Sequence, residues 1–119
     1  MKRPALFLVL LSLPALAFAG RQEADLALTQ ARSAVASAER AGGVTAAPNE
    51  TTDARANLAR AEGSYEERDW DDAVNESQLA RADGRLAEAR ARQVKAEAAT
   101  AEIQAAVDTL RAELNRSVR

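Results

Sequence analysis

The sequence predicts an all-α protein of three helices, in which two short antiparallel helices pack on the first half of a long, coiled-coil-like C-terminal helix. Beyond residue 19, most residues are Ala, Arg, Glu, Leu and Gln, which have high intrinsic helix propensities. Apolar residues recur there at alternating steps of three and four, the spacing that gives a helix an apolar face. A Gly pair at residues 42–43 and a polar turn at residues 68–69 divide this pattern into three segments.

The first two helices are short, and each is bounded by an end signal. The first is expected at about residues 22–41, since the Gly42-Gly43 pair is typical of a helix C-terminus. The second is expected at about residues 48–67, because Pro48 suits a first helical turn, where its missing N–H would be unpaired anyway. Their apolar stripes are Leu28, Ala31, Val35 and Ala38 in the first helix and Ala54, Leu58, Ala61 and Tyr65 in the second.

The third helix is expected at about residues 70–116, after a turn at Arg68-Asp69 in which Asp69 caps the new helix. It carries two apolar stripes, so we expect two of its faces to contact neighbours, as in the middle of a three-helix arrangement. One stripe keeps a heptad register and contains Leu79, Ala82, Leu86, Ala89, Gln93, Ala96, Thr100, Ile103, Val107, Leu110 and Leu114. The other consists almost entirely of small residues, namely Ala73, Ala80, Ala87, Ala91, Val94, Ala98 and Ala105.

The C-terminal half of this long helix has no predicted partner within the chain. The first two helices span roughly 30 Å each and the third about 70 Å, at about 1.5 Å per residue. Antiparallel packing therefore leaves the segment from about Lys95 onward uncovered, although it carries the bulkiest apolar series of the helix. That series is Ile103, Val107, Leu110 and Leu114. An uncovered apolar stripe of this kind predicts association with another molecule.

Residues 1–19 have the features of a cleavable bacterial signal peptide. Two basic residues, Lys2 and Arg3, precede an apolar run that extends to Phe18. The run ends in a small-x-small pattern, so we expect cleavage after Ala19, export to the periplasm, and a single helical domain over residues 20–119. Since no Cys follows the run, we expect no lipid anchor. We also expect no integral membrane segment after cleavage, because no second apolar segment follows.

The composition argues against most kinds of functional chemistry. Removing Lys2 and Arg3 leaves 14 of the 16 basic residues against 18 acidic ones, a balance that disfavours nucleic acid as a partner. The chain contains no His and no Cys, so the common nucleophile–base pairs cannot be assembled from them. We interpret the acidic residues between 66 and 72 as helix caps and solvated surface rather than as a calcium site. We therefore expect no catalytic residue, no metal, no cofactor and no enzymatic activity.

The turn that begins at Asp69-Trp70 is similar to the acidic-aromatic turn of tetratricopeptide helix pairs. The chain as a whole resembles the bacterial envelope proteins grouped as "domain of unknown function 4398". The segments that carry this resemblance are Ala41-Gly42-Gly43, Ala47-Pro48, Asp69-Trp70 and the Ala-, Arg- and Glu-rich stretch 81–92. The resemblance implies an envelope location and this helical architecture, and it implies no activity.

The sequence departs from that family pattern in two ways. Arg68 stands where the turn usually has Gly, so a left-handed residue is expected to be strained or displaced there. Unlike many members, this sequence also shows no lipid-bearing Cys and no C-terminal peptidoglycan-binding domain.

Two functional hypotheses follow. In the first, a non-enzymatic periplasmic protein associates with itself or with another envelope protein through the exposed C-terminal half of its long helix. In the second, a tetratricopeptide-like module binds an envelope peptide or a cell-wall glycan in a groove beside Tyr65, Asp69 and Trp70, whose aromatic rings could stack on a ligand.

Overall fold

The computed structural model describes residues 15–119, with side chains from residue 19 onward. The helices are α1 (Ala15–Ala41), α2 (Gly43–Ala46), α3 (Pro48–Glu66) and α4 (Trp70–Ser117), and no strand occurs among residues 15–119. The predicted all-α fold is confirmed. The two basic residues and most of the apolar run of the predicted signal peptide lie outside the described residues.

The starts of two elements differ from the sequence expectation. Helix α1 is already helical at Ala15, the first described residue, rather than from near residue 22, because the intervening residues are mostly good helix formers and include no Pro. Between the first two predicted helices, where a loop is expected, Gly43–Ala46 forms the single turn of α2. Gly42 adopts a left-handed conformation, with φ of 93°, and its carbonyl accepts hydrogen bonds from the N–H groups of Thr45 and Ala46. Those bonds close the short turn that leads into Pro48.

The core of the molecule is built from small side chains. Helices α1 and α3 both pack mainly against α4, and much less against each other. On α4 we define the inner stripe as the six buried residues Ala73, Ser77, Ala80, Gly84, Ala87 and Ala91. The facing buried residues are Ala24, Leu28, Ala31, Ala34, Val35 and Ala38 of α1 and Thr51, Ala54, Asn57 and Ala61 of α3.

The helices approach so closely that one contact involves backbone. A Cβ placed on Gly84 would lie 2.9 Å from the carbonyl carbon of Ala34, so α4 crosses α1 there with no room for a methyl group. Gly63 of α3 differs, because no atom lies within 4 Å of an added Cβ. Glycine at position 84 therefore has a packing role, and its weakening effect on the helix is offset by the close contact.

We define the outer stripe as the heptad series on α4 that runs from Leu79 to Leu114. The expectation that α4 packs through both stripes was wrong, because Leu79 and Leu86 remain 54% and 46% exposed. Helices α1 and α3 lie on the inner stripe, where small residues let their backbones come near. The bulky residues of the outer stripe point away from both helices.

Beyond the three-helix body, α4 continues alone. From Arg92 to Arg119 no residue is buried, and all are exposed except Val107, which is half-buried. This part of the helix extends for roughly 40 Å, at about 1.5 Å per residue. We call Trp70–Ala91 the covered half of α4 and Arg92–Ser117 its bare half. Within the described residues, no helix contains an apolar stretch of the length needed to cross a membrane.

Candidate association surface

The four predicted contact residues lie on one side of the bare half. Their spacing of four, three and four residues places them in a single row on a helix. Ile103, Leu110 and Leu114 are 66%, 62% and 64% exposed, and Val107 between them is half-buried by its own helical neighbours. No residue of α1, α2 or α3 reaches this row, because the body ends near Ala91. The row therefore presents apolar surface directly to solvent.

The same row continues along the covered half, as the heptad register predicted, but the exposure of its leucines there was not predicted. Leu79 and Leu86 occupy the same heptad series and are also exposed. The sequence predicts packing for both leucines because two apolar stripes on one helix indicate two faces in contact with neighbours. The signal that could have identified them as surface residues is the second stripe of almost pure Ala, Ser and Gly on the opposite side. A helix with that stripe can pack against its neighbours through the small residues alone and leave its leucines exposed.

Polar contacts mark the edge of the outer stripe that faces α3. The Ser64 hydroxyl donates a hydrogen bond to the Glu76 carboxylate at 2.7 Å, and the Asn57 amide donates to Asp83 at 2.7 Å. Further along, the Arg90 guanidinium pairs with Glu50 of α3. On the side of α1, the Arg81 guanidinium donates to the Gln30 side chain. These contacts join α1 and α3 to polar residues of α4 rather than to the leucines of the outer stripe.

The predicted turn residues form a separate cluster at the start of α4. The rings of Tyr65 and Trp70 meet edge to face, with centroids 5.2 Å apart. The Tyr65 hydroxyl donates a hydrogen bond to Asp25 of α1. The Tyr65 hydroxyl oxygen accepts a hydrogen bond from the Arg21 guanidinium, and this bond, assisted by the negative charge of Asp25, raises the pKa of Arg21. Trp70 also packs against Gly20, where an added Cβ would lie 3.4 Å from the Trp70 side chain.

The backbone of the turn explains the position of Asp69. As predicted, its carboxylate caps α4, accepting a hydrogen bond from the Asp72 N–H at 3.4 Å. Arg68 is left-handed, with φ of 65°. The Asp69 N–H donates to the Ser64 carbonyl at 2.9 Å and the Arg68 N–H to the Tyr65 carbonyl at 3.1 Å, which is the Schellman arrangement that ends α3. Arg68 thus occupies the position where Gly is usual.

The structure places a surface depression away from this aromatic cluster. It has a volume of about 150 Å³ and is lined by residues of α1 and α4, among them Leu26, Ser77 and Arg81. Neither Tyr65 nor Trp70 contributes to it. Across residues 15–119, no group of three or more acidic side chains is arranged to hold a metal ion.

Comparison with known proteins gives one match. The model of the family described as "Domain of unknown function (DUF4398)" matches residues 26–103, which is more than half of the chain. The match covers nearly all of the three-helix body and ends at the first residue of the exposed row, Ile103. No curated protein and no solved structure matches the chain. The chain belongs to the DUF4398 family.

Proposed function

We propose that this protein acts by association, as a non-enzymatic component of the bacterial periplasm, and that the bare half of α4 is its contact surface. One observation carries the proposal: Ile103, Leu110 and Leu114 form a row on a single helix face and are each more than 60% exposed. Monomeric proteins rarely expose a contiguous row of large apolar side chains, since such a row gains free energy when another surface covers it.

The small-residue core supports this assignment. Helices α1 and α3 bury mainly Ala, so the three-helix body is complete without any residue of the bare half. Folding of the body therefore gives no reason for Ile103, Leu110 and Leu114 to be apolar. If this segment only extended the helix into water, charged and polar residues would be expected at these positions.

The proposed periplasmic location rests on the sequence features of residues 1–19. Among the side chains described from residue 19 onward, the first buried one in α1 is Ala24, so a chain cleaved after Ala19 would keep all of the described core. The processed chain would keep the contact between Gly20 and Trp70 and every buried residue named above. The absence of His and Cys from the sequence supports a non-enzymatic role.

The test compares two aspartate substitutions on the bare half. Leu110→Asp places a charge in the exposed row, and Ala105→Asp places the same charge on the opposite side of the same helix, in line with the inner stripe. We expect Leu110→Asp to abolish association, measured as solution mass by light scattering and as recovery of a defined envelope partner by the immobilised protein. Ala105→Asp should behave like the parent. Circular dichroism checks that both variants remain helical.

Equal behaviour of the two variants would contradict the proposal. If Leu110→Asp and Ala105→Asp had the same mass and recovered the same partners as the parent, the exposed row would not be a contact surface.

A further inference from the structure

We propose that the partner is a second copy of this chain, and that two α4 helices pair antiparallel along their outer stripes with the two-fold axis between Val94 and Lys95. The inference rests on the proposed function, names its partner, and enlarges its surface. The contact then includes Leu79 and Leu86 of the covered half as well as the row on the bare half. Each copy covers the bare half of the other with its own covered half.

The pairing places each large apolar residue of the stripe from Leu79 to Leu110 opposite another apolar residue, and Leu114 lies opposite Asn75. In an antiparallel coiled coil, each core layer joins one a-type residue of a heptad with one d-type residue of the other helix. With the axis between Val94 and Lys95, the layers of the two copies pair Leu79 with Leu110, Ala82 with Val107, Leu86 with Ile103, Ala89 with Thr100, and Gln93 with Ala96. The exposed large apolar residues in the layers from Leu79 to Leu110 thereby gain an apolar neighbour. Ala89, Ala96 and Thr100 occupy the layers next to the axis together with Gln93, and the three short side chains let the helices approach.

The charges beside the stripe favour this register. The residue directly after each d-type residue occupies an e position of the heptad, and in an antiparallel pair the e positions of the two helices lie next to each other. On this helix the e positions include Glu76, Arg90, Glu97 and Arg111. In the proposed register Glu76 lies beside Arg111 of the second copy, and Arg90 lies beside Glu97. Symmetry repeats each pair, so four opposite-charge pairs flank the core. Arg90 remains available although it contacts Glu50, because its side chain is 53% exposed and a guanidinium has five donors.

The opposite edge of the stripe adds no repulsion in this register. There Gln78, Arg85 and Arg92 lie beside Glu113, Ala106 and Ala99 of the second copy, so no like charges meet.

Other arrangements bring like charges together. Sliding the second copy by one heptad places Arg90 against Arg90 at the axis in one direction, and Glu97 against Glu97 in the other. A parallel pair in register places Arg85 beside Arg90 on both sides of the core. Like charges opposite each other across a coiled coil disfavour that partner orientation.

The fold leaves room for the second helix. Helices α1 and α3 pack on the inner stripe, on the far side of α4 from the leucines, and their polar contacts with Arg81, Asp83 and Arg90 stay at the edges. The overlap runs from Asn75 to Leu114, a length of roughly 60 Å at about 1.5 Å per residue. The two three-helix bodies then lie at opposite ends of the pair.

Single cysteines test the orientation directly, because the chain contains no Cys. The protein over residues 20–119 is prepared as Leu79→Cys and as Leu110→Cys, with tags of different mass, and the two are mixed and mildly oxidised. We expect the mixed disulfide to exceed either like-with-like disulfide by at least roughly a hundredfold, because facing thiols have an effective concentration near millimolar and free thiols are micromolar. Leu86→Cys mixed with Ile103→Cys repeats the test in another layer.

A matched control uses a shorter register that is also free of like-charge contacts. An antiparallel pair of bare halves alone would place Leu110 beside Thr100 and Glu97 beside Arg111, leaving Leu79 and Leu86 exposed. Thr100→Cys mixed with Leu110→Cys detects that register. In the proposed register these two positions are far apart, and we expect their mixed disulfide to form no faster than the like-with-like products.

Three outcomes overturn the inference. They are dominant like-with-like disulfides, a dominant Thr100–Leu110 disulfide, and a monomeric mass for the parent protein in sedimentation equilibrium. If the monomer still binds a defined envelope partner through a surface that Leu110→Asp destroys, the inference fails and the proposed function stands. If Leu110→Asp alters neither mass nor partner binding, the proposed function itself fails.

Discussion

The two halves of α4 distribute apolar bulk in opposite ways. The covered half buries only Ala, Ser and Gly, and it leaves Leu79 and Leu86 in solvent. The bare half buries nothing and carries Ile103, Leu110 and Leu114 on its surface. One uninterrupted helix of 48 residues contains both arrangements. Large apolar side chains on this helix therefore do not identify the core.

The difference separates the requirements of folding from those of association. In the covered half, small residues bring helix backbones together, and stability depends on helical hydrogen bonds and dense packing because each buried Ala removes little apolar area from water. In the bare half, the large side chains bury little of their apolar area within the chain. That area is available to a second molecule. This distinction between the two halves would be wrong if enlarging a residue of the inner stripe lowered the free energy of unfolding no more than enlarging a residue of the bare half.

The largest expected effect comes from enlarging the inner stripe. Ala87 is fully buried and lies in a cluster with Ala38 and Ala47. We expect Ala87→Leu to lower the free energy of unfolding by about 3 kcal/mol, because the added carbon atoms would push α4 away from its neighbours. Urea denaturation followed by circular dichroism measures the change.

The matched control lies two heptads further along the same helix. Ala101 occupies the position equivalent to Ala87 in the bare half and is exposed. We expect Ala101→Leu to change the free energy of unfolding by less than about 0.5 kcal/mol, as for most surface substitutions. Equal destabilisation by the two variants would show that the inner stripe is not the packed face.

A smaller effect distinguishes two glycines in helices. Alanine at position 84 would clash with the Ala34 backbone, whereas alanine at position 63 would meet no atom within 4 Å. We expect Gly84→Ala to destabilise the protein by about 2 kcal/mol despite its better helix propensity. Gly63→Ala should stabilise it by about 0.5–1 kcal/mol, since only the propensity term applies there. Stabilisation by both substitutions, measured as a rise in Tm, would contradict the close crossing at Gly84.

Much of the fold could be predicted because its boundaries depend on local chemistry. Gly42 ends α1 in a left-handed conformation, Pro48 begins α3, and Asp69 caps α4, each as its residue type favours. The start of α1 could not be predicted in this way, because residues 15–21 contain no Pro and no Ser, Thr, Asp or Asn to mark a helix start near residue 22. The choice of the buried face of α4 also escaped prediction. That choice depends on how closely the backbones approach at Gly84 and Ala34. The spacing of apolar residues in a sequence shows which faces can pack, but it does not show how closely two helices approach.

The candidate site was predictable in part for a geometric reason. The predicted helix lengths indicated that α4 extends beyond the ends of α1 and α3. That argument identified Ile103, Leu110 and Leu114 as exposed residues. It could not identify Leu79 and Leu86, because they lie beside helices that cover the opposite face. Only the coordinates of α1 and α3 around α4 show which side remains open.

The smallest effect concerns polarity rather than size in the covered half. Ser77 is fully buried in the inner stripe, and its hydroxyl has no hydrogen-bond partner among the described residues. We expect Ser77→Ala to raise the free energy of unfolding by about 1 kcal/mol, because it removes an unpaired buried hydroxyl and improves helix propensity while keeping the side chain small. Ser33→Ala on the exposed side of α1 is the control and should gain at most about 0.5 kcal/mol, from propensity alone. If Ser77→Ala instead destabilised the protein, the hydroxyl would be paired and the covered half would require polarity as well as small size. Urea denaturation of the two variants side by side distinguishes these outcomes.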